Sequence, residues 1–279
     1  MFWQRNDYII VQTTKQMKIK EIIKPLEELA PLNWQEDYDN SGLTLGNIDN
    51  ECTGALICLD IFPSTIKQAI DKHCNLVISH HPCVFHSIKK LVYGSQINEI
   101  LTLAIKNDIA IYSAHTCMDN SKFGVAYGLS KALLVDDFVA FDSSRFPEEE
   151  NYLGGGALGK LSTPIKAKDY LTKIKANLGI GAIKYCGDIE KNIQTIGFCG
   201  GSGSFLIEKA IENNCDIYLT ADIKYHDFLS YSDKIILADI GHFESEQFIK
   251  QRFFDIISKN IRNFAPLYIS DQTNRVKFL

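Results

Sequence analysis

Two stretches of this 279-residue chain, QAIDKHCNLVISHH at 68–81 and KAIENNCDIYLTAD at 209–222, restrict its fold more than any other feature. Each runs from a helix-like segment through a cysteine into a short apolar strand, with polar groups where the strand must stop. Alanine, isoleucine and cysteine coincide, and Asp71 with Glu212, Asn75 with Asp216 and Ser79 with Thr220 are conservative pairs. The next strand of each half ends alike. IYSAHTCMD carries His115 and Asp119, and ILADIGHFESE carries His242 and Glu246, so a histidine past the strand is followed four residues later by a carboxylate. We read this echo as a distant duplication. It predicts an α/β protein of two similar α/β halves packed around a shared metal-binding cleft, with ligand groups at the carboxyl ends of the strands.

The remaining periodicity agrees with alternating elements. Buried strands are expected at Thr53–Leu59, Asn75–Ser79, Ile109–Ser113, Ile193–Cys199, 216–220 and 234–240, with two short ones near 264–269 and 274–278. Helices are expected at 18–30, from Pro63 to about Lys72, and at 97–107, 121–133, 169–178 (ended by Gly179), 204–213, 224–231 and 244–258. NWQEDYDNSGLTLGN reads as a turn-rich connection, and LGGGALGKL as a short hairpin or loop bent at Gly154–Gly156. The expected division is an N-terminal extension at 1–16, a first half at 17–140 and a second at 141–279.

The formal charge of −5 argues against non-specific nucleic-acid binding and suits a cleft of carboxylates. Eight cysteines lie scattered, with no CxxC and several inside apolar runs, which points to a reduced, cytoplasmic protein. No apolar run reaches the ~20 residues of a membrane span. The opening MFWQRNDYII carries Arg5 and Asp7 through its apolar part and makes a poor signal peptide.

The adjacent histidines His80 and His81 close the strand of NLVISHHPCVF. Neighbouring strand side chains point to opposite faces, so two adjacent imidazoles serve two ions more readily than one. With the echoed pairs, the candidate ligands are His80, His81, Asp119, His242 and Glu246. Mixed imidazole and carboxylate donors suit Zn, Fe, Mn, Ni or Co, two divalent ions per chain with a carboxylate between them. Open positions on such ions suit hydrolysis. His115 is either a further ligand or, the role we favour, stands behind the ligands and orients them. Asp222, Lys224 and His226 either line the cleft as proton or substrate groups or form an ordinary helix start. Gly200, Gly201, Ser202 and Gly203 could turn a strand into a helix and present amides to a phosphate, although no P-loop or dinucleotide fingerprint is present. No GxSxG elbow appears.

YDNSGL at 38–43, SHHP at 79–82, SAHTCMD at 113–119, GGSGS at 200–204, DIKYHD at 222–227 and GHFESE at 241–246 together resemble the Nif-three-like family, also called GTP cyclohydrolase 1 type 2 homologues. The resemblance runs in order from Met17 to the C terminus. It implies a dinuclear centre on His80, His81, Asp119, His242 and Glu246; Asp39 and Asn40, in the first of these motifs, are further catalytic or substrate-binding candidates. It also implies a toroidal homohexamer of the short form, without an inserted domain, and a small-molecule substrate such as a nucleotide, with GTP ring opening as the named activity. A metal-binding or metal-delivery protein without turnover is the alternative. Two departures, Ala221 and Tyr38, touch no proposed ligand.

Overall fold

The computed structural model describes residues 17–261 and 266–279; the expected 1–16 extension lies outside the described residues. In the first half, helix α1 (Ile19–Leu29) precedes strand β1 (Gly42–Leu45), and β2 (Ala55–Cys58), α2 (Pro63–Asp71), β3 (Leu76–Ser79), α3 (Gln96–Lys106) and β4 (Ala110–Ser113) follow. A one-turn helix α4 (Thr116–Asp119) and α5 (Val125–Ala132) lead to β5 (Phe138–Ala140). The second half contains β6 (Ala157–Lys166), α6 (Ala167–Leu178), β7 (Lys184–Cys186), β8 (Asn192–Ser202), α7 (Ile207–Glu212), β9 (Ile217–Ala221) and α8 (Tyr225–Tyr231). Then come β10 (Ile236–Asp239), a short α9 (His242–Glu246), α10 (Phe248–Asn260) and β11 (Leu267–Ile269).

Two sheets result, ordered β1-β4-β3-β2-β11 and β5-β6-β8-β9-β10-β7. Strands β2, β3 and β4 are buried throughout, as strands covered on both faces must be. Their side chains alternate between two cores. Ile57, Ile78 and Tyr112 face α1 and α10, whereas Leu56, Val77 and Ile111 face a second cluster with Ile66 and Ile100. The parallel register pairs Cys58 with Ser79 and Ser79 with Ser113, so the three strands end level. In the second sheet Ala238 pairs with Leu219 and Asp239 with Thr220, so β9 and β10 also end level.

The echo survives in backbone detail. His73 and Asn214, at matching positions, both adopt left-handed φ of 55°. The next amide closes back in each case, Cys74 to Ala69 O and Cys215 to Ala210 O, both at 2.9 Å. Asn75 Oδ1 then accepts from the amide of Thr53 at 2.8 Å, and Asp216 Oδ2 accepts from Gln194 and Thr195 at 2.7 and 2.8 Å. A polar side chain at the strand entrance thus pins the preceding strand in both halves.

The structure departs from the sequence reading in several places. The turn-rich segment contains β1, an antiparallel edge strand on β4, bracketed by Gly42 and Gly46 at φ of 115° and 100°. Of the two readings of LGGGALGKL the loop holds: Gly154 and Gly155 turn the chain at φ of 62° and 82°, and a ten-residue strand β6 follows, in which Ala157, Gly159 and Leu161 alternate into the core. The helix expected over 244–258 is two helices, split at Gln247. No strand forms at 274–278, where side-chain contacts replace a ladder.

The division at 140/141 is crossed in both directions. Ala126 and Leu129 of α5, together with β5, belong to the second half. Helix α10 packs Ile249, Phe253, Ile256 and Ile257 against α1, and β11 joins the edge of the first sheet. Apolar faces, rather than chain order, decide which half each element joins. Asn75→Ala and Asp216→Ala should each cost about 0.5–1.5 kcal/mol, the net worth of a hydrogen bond whose amide water can reach once the side chain is gone; denaturant titration checks this.

Candidate metal centre

The level strand ends gather polar groups from both halves into one cluster. Asp60 follows β2, His80 and His81 follow β3, and His115 follows β4, with Asp119 one turn later on α4. From the other half, Asp222 follows β9, and α9 carries His242 and Glu246. Both His-x3-acid pairs therefore sit on one-turn helices set directly at the strand ends, which brings each pair's two groups onto one face.

Each imidazole is held from behind by an acceptor. His80 Nδ1 donates to Ala114 O at 2.8 Å, His81 Nδ1 to Asp60 Oδ1 at 2.7 Å, His115 Nδ1 to Asp39 Oδ1 at 2.7 Å, and His242 Nδ1 to Asp222 Oδ2 at 2.6 Å. Acceptors at Nδ1 fix the tautomer and turn every Nε2 towards the middle, as metal-ligating histidines require. Glu246, buried at 3% exposure, lies at that middle. Its Oε2 is 2.9 Å from His81 Nε2 and 3.1 Å from His242 Nε2, and its Oε1 is 3.9 Å from His80 Nε2. His80 Nε2 lies 3.4 Å from Asp119 Oδ1. Both of those atoms are buried without a hydrogen-bond partner. Two donor sets thus share one carboxylate: His81, His242 and Glu246, and His80, Asp119 and Glu246, each with ligand atoms within 4.8 Å of one another.

Electrostatics fit a cation site. Burial disfavours charge on His81, but Glu246 and Asp60 overcome it and lift the imidazole to about 10. His242 behaves alike: burial pulls it down, and Glu246 and Asp222 raise it to about 9. Burial would raise Glu246, yet the two imidazoles hold it well below the ordinary carboxylate range. Without a metal, the site is held together by protons that an ion must displace.

The other predicted residues fall into distinct places. His115 faces the cluster itself, its ligand atom grouped with those of His80 and His81, instead of standing behind a ligand. The side chains that do stand behind imidazoles are carboxylates, and only His80 is held by a backbone carbonyl, that of Ala114. Asp39, its side chain fully buried, also accepts from Thr116 N, Thr116 Oγ1 and Ser41 Oγ. It is therefore a support for His115, while Asn40 spends its amide on Val84 O at 2.6 Å. Asp222, in a left-handed conformation with φ of 56°, supports His242. Lys224 and His226 do not line the cavity beside the cluster, because Ile223 anchors with Tyr218 and Leu237 in a core cluster of the second half and turns the start of α8 outward.

The glycine run joins strand to helix as expected: Gly200, Gly201 and Ser202 end strand β8, and Gly203 opens a 3-10 turn (Ser204–Leu206) that runs into α7. The Gly201 amide donates to Ser245 Oγ at 3.0 Å, and its carbonyl accepts from Thr220 Oγ1 at 2.8 Å. With φ of 61° it lies against Glu246, so a Cβ there would overlap Oε1. This glycine admits the carboxylate, and its amide is spent on Ser245.

Sequence reasoning overlooked Asp60, whose only signal was its position just past the end of a buried strand; the register sets it level with His81. It also overlooked a cavity of about 690 Å³ beside the cluster, lined by His81, His115 and His242, by Phe62 and Phe243, and by the C-terminal residues from Gln272 onward.

The family profile described as Duf34/NIF3 (NGG1p interacting factor 3) matches residues 17–275. The chain belongs to the DUF34/NIF3 family. A Clostridium acetobutylicum protein named GTP cyclohydrolase 1 type 2 homolog is 30% identical over 235 residues, covering 82% of this chain and 85% of its own. A Campylobacter jejuni protein of the same name is 33% identical over 254 residues, covering 91% and 95%. Among solved structures, a Bacillus cereus protein related to NIF3 superposes with a TM-score of 0.87 at 20% identity, covering 95% of this chain and all of that one, and so shares the fold. Among the described residues no helix is long and apolar enough to cross a membrane.

The raised histidines stabilise the metal-free protein fully below pH 6.5, and this contribution is lost as pH rises through about 9 and about 10. Melting temperature in chelator should fall across that window. Gly201→Ala should displace Glu246 and lower bound metal, as read by elemental analysis, with β8 still formed.

Proposed function

We propose that this protein binds two divalent metal ions between its halves and hydrolyses a small-molecule substrate there, GTP ring opening being the first reaction to test. The carrying observation is the division of one buried carboxylate, Glu246, between two imidazole-containing donor sets. Donor chemistry fits: His80 Nε2 and Asp119 Oδ1 are buried polar atoms that want a partner, and an ion supplies one. His81 and His242 would hold one ion and His80 and Asp119 the other, with Glu246 common to both. Zn, Fe, Mn, Ni and Co all suit these ligands. Two bound ions would lower the pKa of a shared water and polarise a substrate oxygen.

The chain's own groups do the rest. His115, held by Asp39, offers Nε2 to a substrate seated over the cluster. The neighbouring cavity gives that substrate aromatic walls at Phe62, Phe85 and Phe243. A cavity of this size beside the donors favours an enzyme over a metal-delivery protein, which needs an open ligand set and no substrate chamber. Our reading includes a toroidal homohexamer and a cytoplasmic location, supported by the family resemblance and by eight free thiols.

Elemental analysis should find about two ions per chain, in keeping with a two-metal site, and a steep fall in Glu246→Ala. Full metal content in that variant would remove the shared role of Glu246. Metal-loaded protein incubated with GTP should release formate. Metal passing to an apo-acceptor with no product from GTP would replace the enzyme reading with delivery.

A further inference from the structure

The C-terminal segment departs from the first sheet and crosses the mouth of the cleft. Ser270 N continues the ladder to Ile57 O at 2.8 Å, and the chain then leaves the sheet. Gln272 lands at the end of β2. Its Oε1 accepts from the amides of Leu59 and Asp60 at 3.2 and 3.1 Å, and its Nε2 donates to Asp60 Oδ2 at 2.9 Å. Its own carbonyl accepts from Lys250 Nζ at 3.2 Å. One amide side chain therefore uses both its acceptor and its donor on a single turn of the first half. The other oxygen of Asp60 accepts from His81 Nδ1 at 2.7 Å, and His81 Nε2 meets Glu246. Beyond Gln272 the segment fastens to both halves. Asn274 Nδ2 donates to Glu244 Oε1 at 2.6 Å on α9, the helix that carries His242 and Glu246. The Arg275 guanidinium covers the Phe62 ring at 3.5 Å, and Phe278 lies against Gly181 in the second half.

We propose that residues 270–279 form a strap across the cleft in which Gln272 is a positioning residue for the Asp60–His81 pair, so that strap docking and metal loading are coupled. The inference rests on the metal reading above. Its physical basis is geometric. A carboxylate orients an imidazole only while its own direction is fixed, and the Gln272 Nε2–H fixes the oxygen of Asp60 that His81 does not use. Coupling between two sites is reciprocal, so a strap that favours metal must itself be held more firmly when metal is bound. Because strap residues line the cavity, docking also sets one wall of the chamber that a substrate enters.

The test uses the full chain, stripped of metal and titrated with Co(II) and, separately, Zn(II). Wild type should take about two ions. Gln272→Ala and Gln272→Glu, the second placing a carboxylate against that of Asp60, should bind the ion at His81 about 10-fold more weakly, the size of effect known for outer-shell partners. Their Co(II) absorption should shift, since the His81 ring is no longer fixed; a purely structural loss would leave the spectrum of the loaded protein alone. In wild type, added metal should slow carboxypeptidase removal of the tail several-fold, and Gln272→Glu should abolish that protection. The proteolysis arm needs no variant, so it decides the matter even if Gln272→Ala fails to fold. Unchanged affinity and spectra in both variants, or metal-independent digestion of wild type, would overturn the strap while leaving the metal centre standing. No metal bound by wild type would overturn both.

Discussion

The fold is built around a buried negative charge. Glu246 sits at the junction of the two halves, and an isolated carboxylate there would cost far more than the protein's net stability. His81 and His242 relieve it, one from each half. Each of those imidazoles is in turn fixed by a partly solvated carboxylate, Asp60 or Asp222. The sheets, helix starts and glycine contacts can be read as the means of holding this arrangement at one point. Removing any member leaves charge without compensation, which explains why the cluster is tied into backbone on every side.

Topology supplies the convergence. Parallel strands in even register end together, and the chain is free to deliver side chains only at that edge. One edge gives a row of groups; two edges facing each other give a chamber. The duplication provides the second edge with the same local devices, down to the left-handed residue before the strand and the polar side chain at its entrance. The halves are not sealed units, however. Helix α10 and strand β11 return to the first sheet, so the chain that carries Glu246 is continuous with the core that carries His81.

Much of this was legible in the sequence because it rests on local signals. The buried strands announce themselves as apolar runs, and His80, His81, Asp119, His242 and Glu246 stand at fixed distances from strand ends. What was not legible depends on approach in space. Asp60 looks like any polar residue after a strand until β2 and β3 are placed side by side. The Gly200–Gly203 run looks like a ligand loop because glycine reports only that something comes near. Here that something is Glu246, from a helix more than forty residues on. Asp39 and Asp222 read as substrate groups because the histidines they hold, His115 and His242, lie 76 and 20 residues away and only the fold brings them close. Gln272 carries no pattern at all; its role arises because β11 crosses back to the first sheet.

Anomalous diffraction from crystals grown with the metal restored tests the shared carboxylate most directly. Two peaks are expected about 3.5–4 Å apart, a two-metal spacing, with Glu246 between them, His81 and His242 on one and His80 and Asp119 on the other. A single peak, or two peaks of which only one touches Glu246, would contradict it.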